Sequence, residues 1–224
     1  MLIMRADDML AKGVMIYRLQ ADDVQDREKK GTYMTHNYQF NTADWQKDFA
    51  YAIAPHTKAA ATYTCDGGVL KNEYNEKIGE HDYISVISNE TFGVGTEISA
   101  KCSFSGTGAP CFVFTNDISG DADFFVYGLH FEVCVYVGGV NVWRIEPWPQ
   151  RVERPIRTKK IHAVEWAPNT CELECTVKFG EGRITVSVED HEFDVEWDEF
   201  PREFKVGFTA CEGPCAFHEF NIKP

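Results

Sequence analysis

The sequence predicts an all-β domain, built as a two-layer sandwich or a barrel. Three observations predict it. Apolar residues alternate with polar ones over short runs: Ile184, Val186 and Val188 with Thr185 and Ser187, then Phe204, Val206 and Phe208 with Lys205, Gly207 and Thr209. Such a period of two puts one set on a buried sheet face. Turn residues recur between the runs, at Asp66-Gly67-Gly68, Gly93, Gly106 to Gly108, Ser119-Gly120-Asp121, Gly138-Gly139, Gly180-Glu181-Gly182 and Glu212-Gly213-Pro214. No window of about twelve residues keeps a helical apolar period, and the alanine-rich run near Ala59 is too short.

Size and composition agree. The 224 residues fit one sandwich, since such domains often run to about 200–250 residues as a single unit. A chain of this length buries roughly 70% of its unfolded surface. Its 44% apolar and 25% charged residues are ordinary globular values, and 13% aromatic content suits pleated sheet.

Residues 1–36 read as an N-terminal strand or loop segment packed on the domain. Met9, Leu10, Val14, Ile16 and Leu19 fit a short helix or a first strand. Gly13 to Leu19 has the β-branched and aromatic content of a strand, and Asp22 to Gly31 reads as a charged loop. Residues 37–224 form the sandwich, so the chain is a single domain overall.

The clearest local signal spans Phe124 to Ile145. Gly138-Gly139 reads as the two-residue turn of a hairpin. Pairing outward from it sets Val137 against Val140, Tyr136 against Asn141 and Cys134 against Trp143. Opposed residues share a face. Phe131, Val133, Val135, Val137, Val140 and Val142 then point to the core, while His130, Glu132, Cys134, Tyr136, Asn141 and Trp143 share the opposite face. Further on, Glu189-Asp190-His191 reads as a tight turn into Phe193, Val195 and Trp197. Phe217, Phe220 and Ile222 close the chain, and their uneven spacing predicts a bulge. Pro147-Trp148-Pro149, with Arg151, Arg154 and Arg157, reads as a stiff connection at a sheet edge.

The eight cysteines are read as reduced. A chain of this size, opening on Met1-Leu2-Ile3-Met4-Arg5-Ala6-Asp7-Asp8, lacks the pattern of a secretory signal, and cytoplasmic residence is the expectation. Cys171 and Cys175 flank Leu173 on one strand face and read as small core residues; zinc more often takes CxxC than the CxxxC seen here. A net charge of −13 and a pI near 4.9 disfavour nucleic acid and anionic membranes and leave neutral ligands such as sugars open. No apolar run approaches the roughly 20 residues of a membrane span.

Phe204-Lys205-Val206-Gly207-Phe208-Thr209, a small turn, and Phe217-His218-Glu219-Phe220-Asn221-Ile222 resemble the closing strands of the concanavalin A-like lectin/glucanase superfamily. That group includes laminin-G-like modules and bacterial sugar-hydrolase branches. The Arg183–Trp197 hairpin precedes them as it does there. Phe40, Trp45 and Phe49, followed by Asp66-Gly67-Gly68-Val69-Leu70, are similar to the family's opening. The resemblance covers residues 38–224 in style and the last 45 or so with specificity. It implies a jelly roll of two curved antiparallel sheets, with ligands on the concave one.

On that reading His130, Glu132, Tyr136, Asn141 and Trp143 are the candidate ligand-binding residues. Sugars present apolar patches and hydroxyls, so Trp143 serves as platform and the polar groups as partners. Their alternative is a structural face under loops. The expected function is carbohydrate binding, lectin-like and without nucleic acid or membrane partners. The alternatives are a glycoside hydrolase or lyase in the same groove, or a protein-interaction module. Glu192, Asp194 and Glu196 share one strand face about 7 Å apart. Family 16 glucanases carry a motif of this kind, but mid-domain, and here the acids read as a solvated face. No cofactor is expected: Asp117, Asp121 and Asp123 offer oxygen ligands that calcium accepts, but without an EF-hand loop they read as an ordinary polar turn.

Overall fold

The computed structural model describes residues 35–53, 63–72, 85–121, 124–147, 156–168, 171–211 and 213–224. The expectations for Gly13–Leu19, Asp22–Gly31, the alanine run from Ala59, Asp123, Trp148, Arg151 and Arg154 fall outside these residues. Within them the chain is β-strand throughout, with one 3-10 turn at Ala43–Lys47. No helix there is long and apolar enough to cross a membrane.

In chain order the strands open with β1 (His36–Tyr38), β2 (Phe49–Ile53), β3 (Tyr63–Asp66), β4 (Val69–Asn72), β5 (Ser85–Ser88) and β6 (Phe92–Gly93). The middle of the chain gives β7 (Glu97–Phe104), β8 (Ala109–Thr115), β9 (Ile118–Asp121), β10 (Phe124–Tyr127), β11 (His130–Tyr136) and β12 (Gly139–Pro147). The remainder gives β13 (Ile156–Glu165), β14 (Glu172–Gly180), β15 (Arg183–Val188), β16 (His191–Glu196), β17 (Glu203–Cys211) and β18 (Cys215–Lys223).

They form two sheets. The first runs β16-β15-β14-β7-β18-β4-β3, with β1 also on β18; the second runs β13-β12-β11-β8-β17-β5-β2-β10-β9, with β6 on β17. Pairing is antiparallel except between β10 and β2. Neighbours distant in sequence, such as β7 beside β18 and β8 beside β17, give the jelly-roll order that the closing strands implied.

The first sheet obeys simple alternation. Ile184, Val186 and Val188 of β15 and Leu173, Cys175 and Val177 of β14 are buried, with exposed or half-exposed residues between them. β18 carries the predicted bulge: its register against β7 shifts between Phe217 and Glu219, which returns Phe220 and Ile222 to the core. The turn is Glu189-Asp190, one residue shorter than expected, because His191 already opens β16 opposite Val188. Cys171 differs from expectation: β14 begins after it, and its side chain is exposed while Cys175 is buried.

Aromatic rings fill the space between the sheets. Phe208 meets Phe217, Phe220, Phe40, Tyr63 and Phe49 with centroids 4.5 to 6.2 Å apart. A second nest holds Phe114, Phe131, Phe179, Phe200 and Phe204. At one side the sheet edges are stitched together: His162 of β13 stacks on Phe193 of β16, Lys159 lies over Trp197, and Arg144 grips Glu199.

The second sheet breaks the alternation. Every residue of β8 is buried, and so is β11 as far as Val135. A strand buried on both faces of a two-sheet sandwich needs a second cover. Here the sheet supplies it by curling over its own outer face.

The β11–β12 hairpin departs from the predicted register. Tyr136 pairs with Gly139, Val135 with Val140 and Glu132 with Trp143, so the turn residues are Val137 and Gly138. Val137 is 60% exposed rather than in the core. Gly139 explains the shift. Its φ is +128°, and a side chain there would overlap the Val164 carbonyl oxygen of β13. That glycine is needed inside the strand, so it is not available to the turn. The slip is two residues, an even number, so each side chain stays on the face assigned to it.

Candidate functional site

The curl follows from one short connection. β10 and β11 stand five positions apart in the second sheet, about 24 Å if the sheet were flat. Only Gly128 and Leu129 link them, which allows the chain roughly 10 Å of reach. The sheet must therefore wrap until β10 comes back against β11. Tyr127 then stacks on His130 with ring centroids 4.5 Å apart. The outer face becomes a trough closed at that end.

The link is held by side chains of the preceding turn. Asp117 accepts the Leu129 N–H through Oδ2 at 2.7 Å, and its carbonyl accepts the Gly128 N–H at 2.7 Å. Thr115 donates its hydroxyl to the Leu129 carbonyl at 2.5 Å. Any side chain at Gly128 would overlap the Asp117 carboxylate. Asp117 is thus engaged in closing the turn. Asp121 ends β9, opposite Phe124.

The closed end is packed dry. Ala50, Ala52, Ile87, Val113, Phe125 and Tyr127 form a small apolar cluster distinct from the main core. Small residues on β2 leave room for the rings of β10. Burial pushes the Tyr127 phenol well above its ordinary value.

The predicted site residues divide between the two ends. His130 and Glu132 do share a face, but they are 3% and 2% exposed. Nδ1 of His130 lies 3.0 Å from the Gly128 carbonyl and so carries the hydrogen of that bond; Nε2 lies 3.7 Å from Oε1 of Glu132. The two sit under Tyr127 as floor, without an open surface. Tyr136 and Trp143 are half-buried at the other end, packed on Ala109, Cys111 and Cys134 together with Cys211. Asn141 stands between them on β12, opposite Cys134 and 9% exposed. Its Oδ1 is buried without a hydrogen-bond partner among the described residues. The Lys160 ammonium lies over the Trp143 ring at 5.1 Å.

Sequence reasoning missed Cys111. It faces Cys134 directly across the β8–β11 ladder, with the sulfurs 2.6 Å apart. Burial pushes its thiol well above the usual range, and the neighbouring Cys134 adds to that. No disulfide joins any of the eight cysteines in this structure. Nothing in the local sequence around Cys111 identifies Cys134 as its neighbour, because the pairing of β8 with β11 joins strands 23 residues apart.

The acids of β16 lie elsewhere. Val195 of that strand is buried in the main core, so Glu192, Asp194 and Glu196 point away from it, on the outer face of the first sheet. Thr185 bonds Asp194 and Ser187 bonds Glu192 across the edge ladder. They form a solvated face on the far side of the sandwich from the trough.

No family model and no curated protein matches the chain. Solved structures do. A prokaryotic β-1,3-1,4-glucanase (lichenase) from a mouse hindgut metagenome aligns with TM-score 0.55 and 9% identity, over 86% of this chain and all of that one. The carbohydrate-binding module CBM66 of Bacillus subtilis aligns with TM-score 0.52 and 8% identity, over 71% and 89%. A Bacillus subtilis protein with a galectin-like fold gives TM-score 0.52 and 12% identity, over 84% and 94%. At such identities the likeness is one of architecture: two sheets, one strongly curled, in the same jelly-roll order. The chain has the concanavalin A-like lectin/glucanase fold.

Proposed function

We propose that the chain binds a carbohydrate at the open end of the trough. The observation that carries this reading is Asn141, whose Oδ1 is buried beside two half-exposed aromatic residues and has no hydrogen-bond partner among the described residues. A buried acceptor without a donor costs about 1–3 kcal/mol, so a site that tolerates one gains when a ligand hydroxyl fills it. Trp143 and Tyr136 supply the apolar surface against which sugar C–H faces pack. His130 and Glu132 brace the floor beneath and do not touch the ligand. Because Tyr127 closes the far end, the trough takes a chain end or a short oligosaccharide rather than a strand passing through. Lys160 swings off the indole on binding.

The fold is shared with a carbohydrate-binding module and with glucanases, which is consistent with a glycan ligand. Glu192, Asp194 and Glu196 stand on the opposite sheet, away from the proposed glycan site. The test is a screen of neutral glycans followed by calorimetry on hits. Trp143→Ala and Asn141→Ala should each weaken binding about tenfold, the equivalent of 1.4 kcal/mol. Absence of any binding, or full affinity in Trp143→Ala, overturns the proposal.

A further inference from the structure

The floor of the trough carries a group of side chains that glycan binding does not use. Cys111 and Cys134 face each other across β8 and β11, and Glu132 precedes Cys134 by two residues on the same face. One ligand atom from each of the three lies within 4.8 Å of the others, and all three residues are buried. Among the described residues no other trio of histidine, cysteine or acidic side chains meets that condition.

We propose that Cys111, Cys134 and Glu132 form a buried binding site for a thiophilic divalent cation of the zinc class. The argument is one of donor chemistry. Two sulfurs and one carboxylate oxygen make a borderline-soft set, which suits zinc and is poorly suited to calcium or magnesium. The Glu132 Oε2 lies 3.9 Å from the Cys134 sulfur. Tetrahedral coordination with Zn–S bonds of about 2.3 Å requires sulfurs roughly 3.8 Å apart. They stand 2.6 Å apart now, so rotation about the two Cα–Cβ bonds opens the pair around an ion. Cys211, on the neighbouring strand β17, packs on the same cluster.

His130 packs beside the Glu132 carboxylate, with Nε2 3.7 Å from Oε1 and Nδ1 tied to the Gly128 carbonyl. Metal loading displaces both thiol protons to solvent and leaves two thiolates on the cation. The site lies directly beneath Trp143 and Asn141, on the cysteines against which Trp143 packs, but it uses other side chains than the proposed glycan contacts.

The experiment titrates the reduced, chelator-stripped full chain with Co2+ alone, followed by Zn2+. The expected result is one equivalent of Co2+ bound, with a near-ultraviolet thiolate-to-cobalt charge-transfer band that Zn2+ abolishes. Cys111→Ala/Cys134→Ala should lose the band. Cys65→Ser/Cys171→Ser, which removes the two exposed cysteines, should keep it. Circular dichroism reports whether each variant folds. If the double alanine variant does not, Glu132→Gln decides, with at least tenfold weaker binding expected. A missing band in the parent chain overturns the site. So does a band that survives in the folded Cys111→Ala/Cys134→Ala protein, or one lost with Cys65 and Cys171. Six titratable thiols instead of eight in the unfolded, unreduced protein, with no band, would mean a disulfide and would equally overturn it.

Discussion

Gly207 is the residue on which the shape of the trough turns, and replacing it by alanine tests the curl directly. It lies on β17 facing the concave side, opposite Ile87 of β5. A methyl group there would overlap the Val86 carbonyl oxygen and lie 2.8 Å from Cα of Ile87. Ordinary contacts begin near 3.4 Å, so β5 would have to retreat by on the order of an ångström. It has little freedom to do so. All four of its residues are buried, and it is held between β17 and β2. Overpacking of this kind costs about 1–3 kcal/mol, and each strained ladder hydrogen bond adds roughly 1 kcal/mol. The expected loss is about 3 kcal/mol, or a fall of roughly 6–12 °C in Tm for a domain of this size. Gly93→Ala is the matched control. A methyl at Gly93 meets nothing closer than the Arg202 carbonyl at 3.6 Å, so a change within about 0.5 kcal/mol is expected. Urea unfolding at 25 °C measures both through the midpoint at constant slope. If Gly207→Ala is as stable as Gly93→Ala, β5 and β17 do not approach this closely, and the account of the closed trough fails.

Two further substitutions test the hairpin and the stitched edge. Val137→Asp should leave the urea midpoint within about 0.5 kcal/mol of the parent, because the side chain is 60% exposed, whereas Val135→Asp buries an unpaired carboxylate and should prevent folding. Equal damage from the two would restore the Gly138-Gly139 turn. Arg144 donates to both oxygens of Glu199 at 2.7 and 3.0 Å and holds that carboxyl below its usual range. A depressed folded-state value gives stability that is present above the unfolded value of about 4.3 and lost as pH falls through the folded one. Glu199 is 47% exposed, so Glu199→Gln should cost no more than about 0.5–1 kcal/mol at pH 7. The gap should close in acid, and a gap independent of pH would show that the pair's charge is not what Glu199→Gln removes.

Much of the fold was legible because half of it obeys a local rule. In β14, β15 and β18 the apolar residues that alternate in sequence are the ones that face the partner sheet, and the bulge at His218 was visible as a break in spacing. The strands of the second sheet gave a different signal. Ala109 to Thr115 is nearly unbroken in apolar character, and all of it is buried. Such a run means cover on both faces. What supplies the second cover is not written locally. It depends on β10 returning to β11, which only the Gly128-Leu129 link and the placing of β2 and β5 between them decide.

The site shows the same division between face and exposure. Which residues share a face depends only on parity, and the hairpin register, though two residues away from expectation, kept His130, Glu132, Tyr136, Asn141 and Trp143 on one side. A slip of one would have exchanged them all for the valines. Depth is a separate matter. His130 and Tyr136 lie on one face of one strand, yet the first is sealed under Tyr127 and the second half-exposed, because the sheet closes at one end and not at the other. The Cys111–Cys134 pair arises in the same way. Each cysteine alone is a small buried residue of no chemical distinction, and the pair exists only because β8 and β11 are neighbours. Alternation therefore names the candidates, while the curl decides which of them reach a ligand and which are left facing one another in the floor.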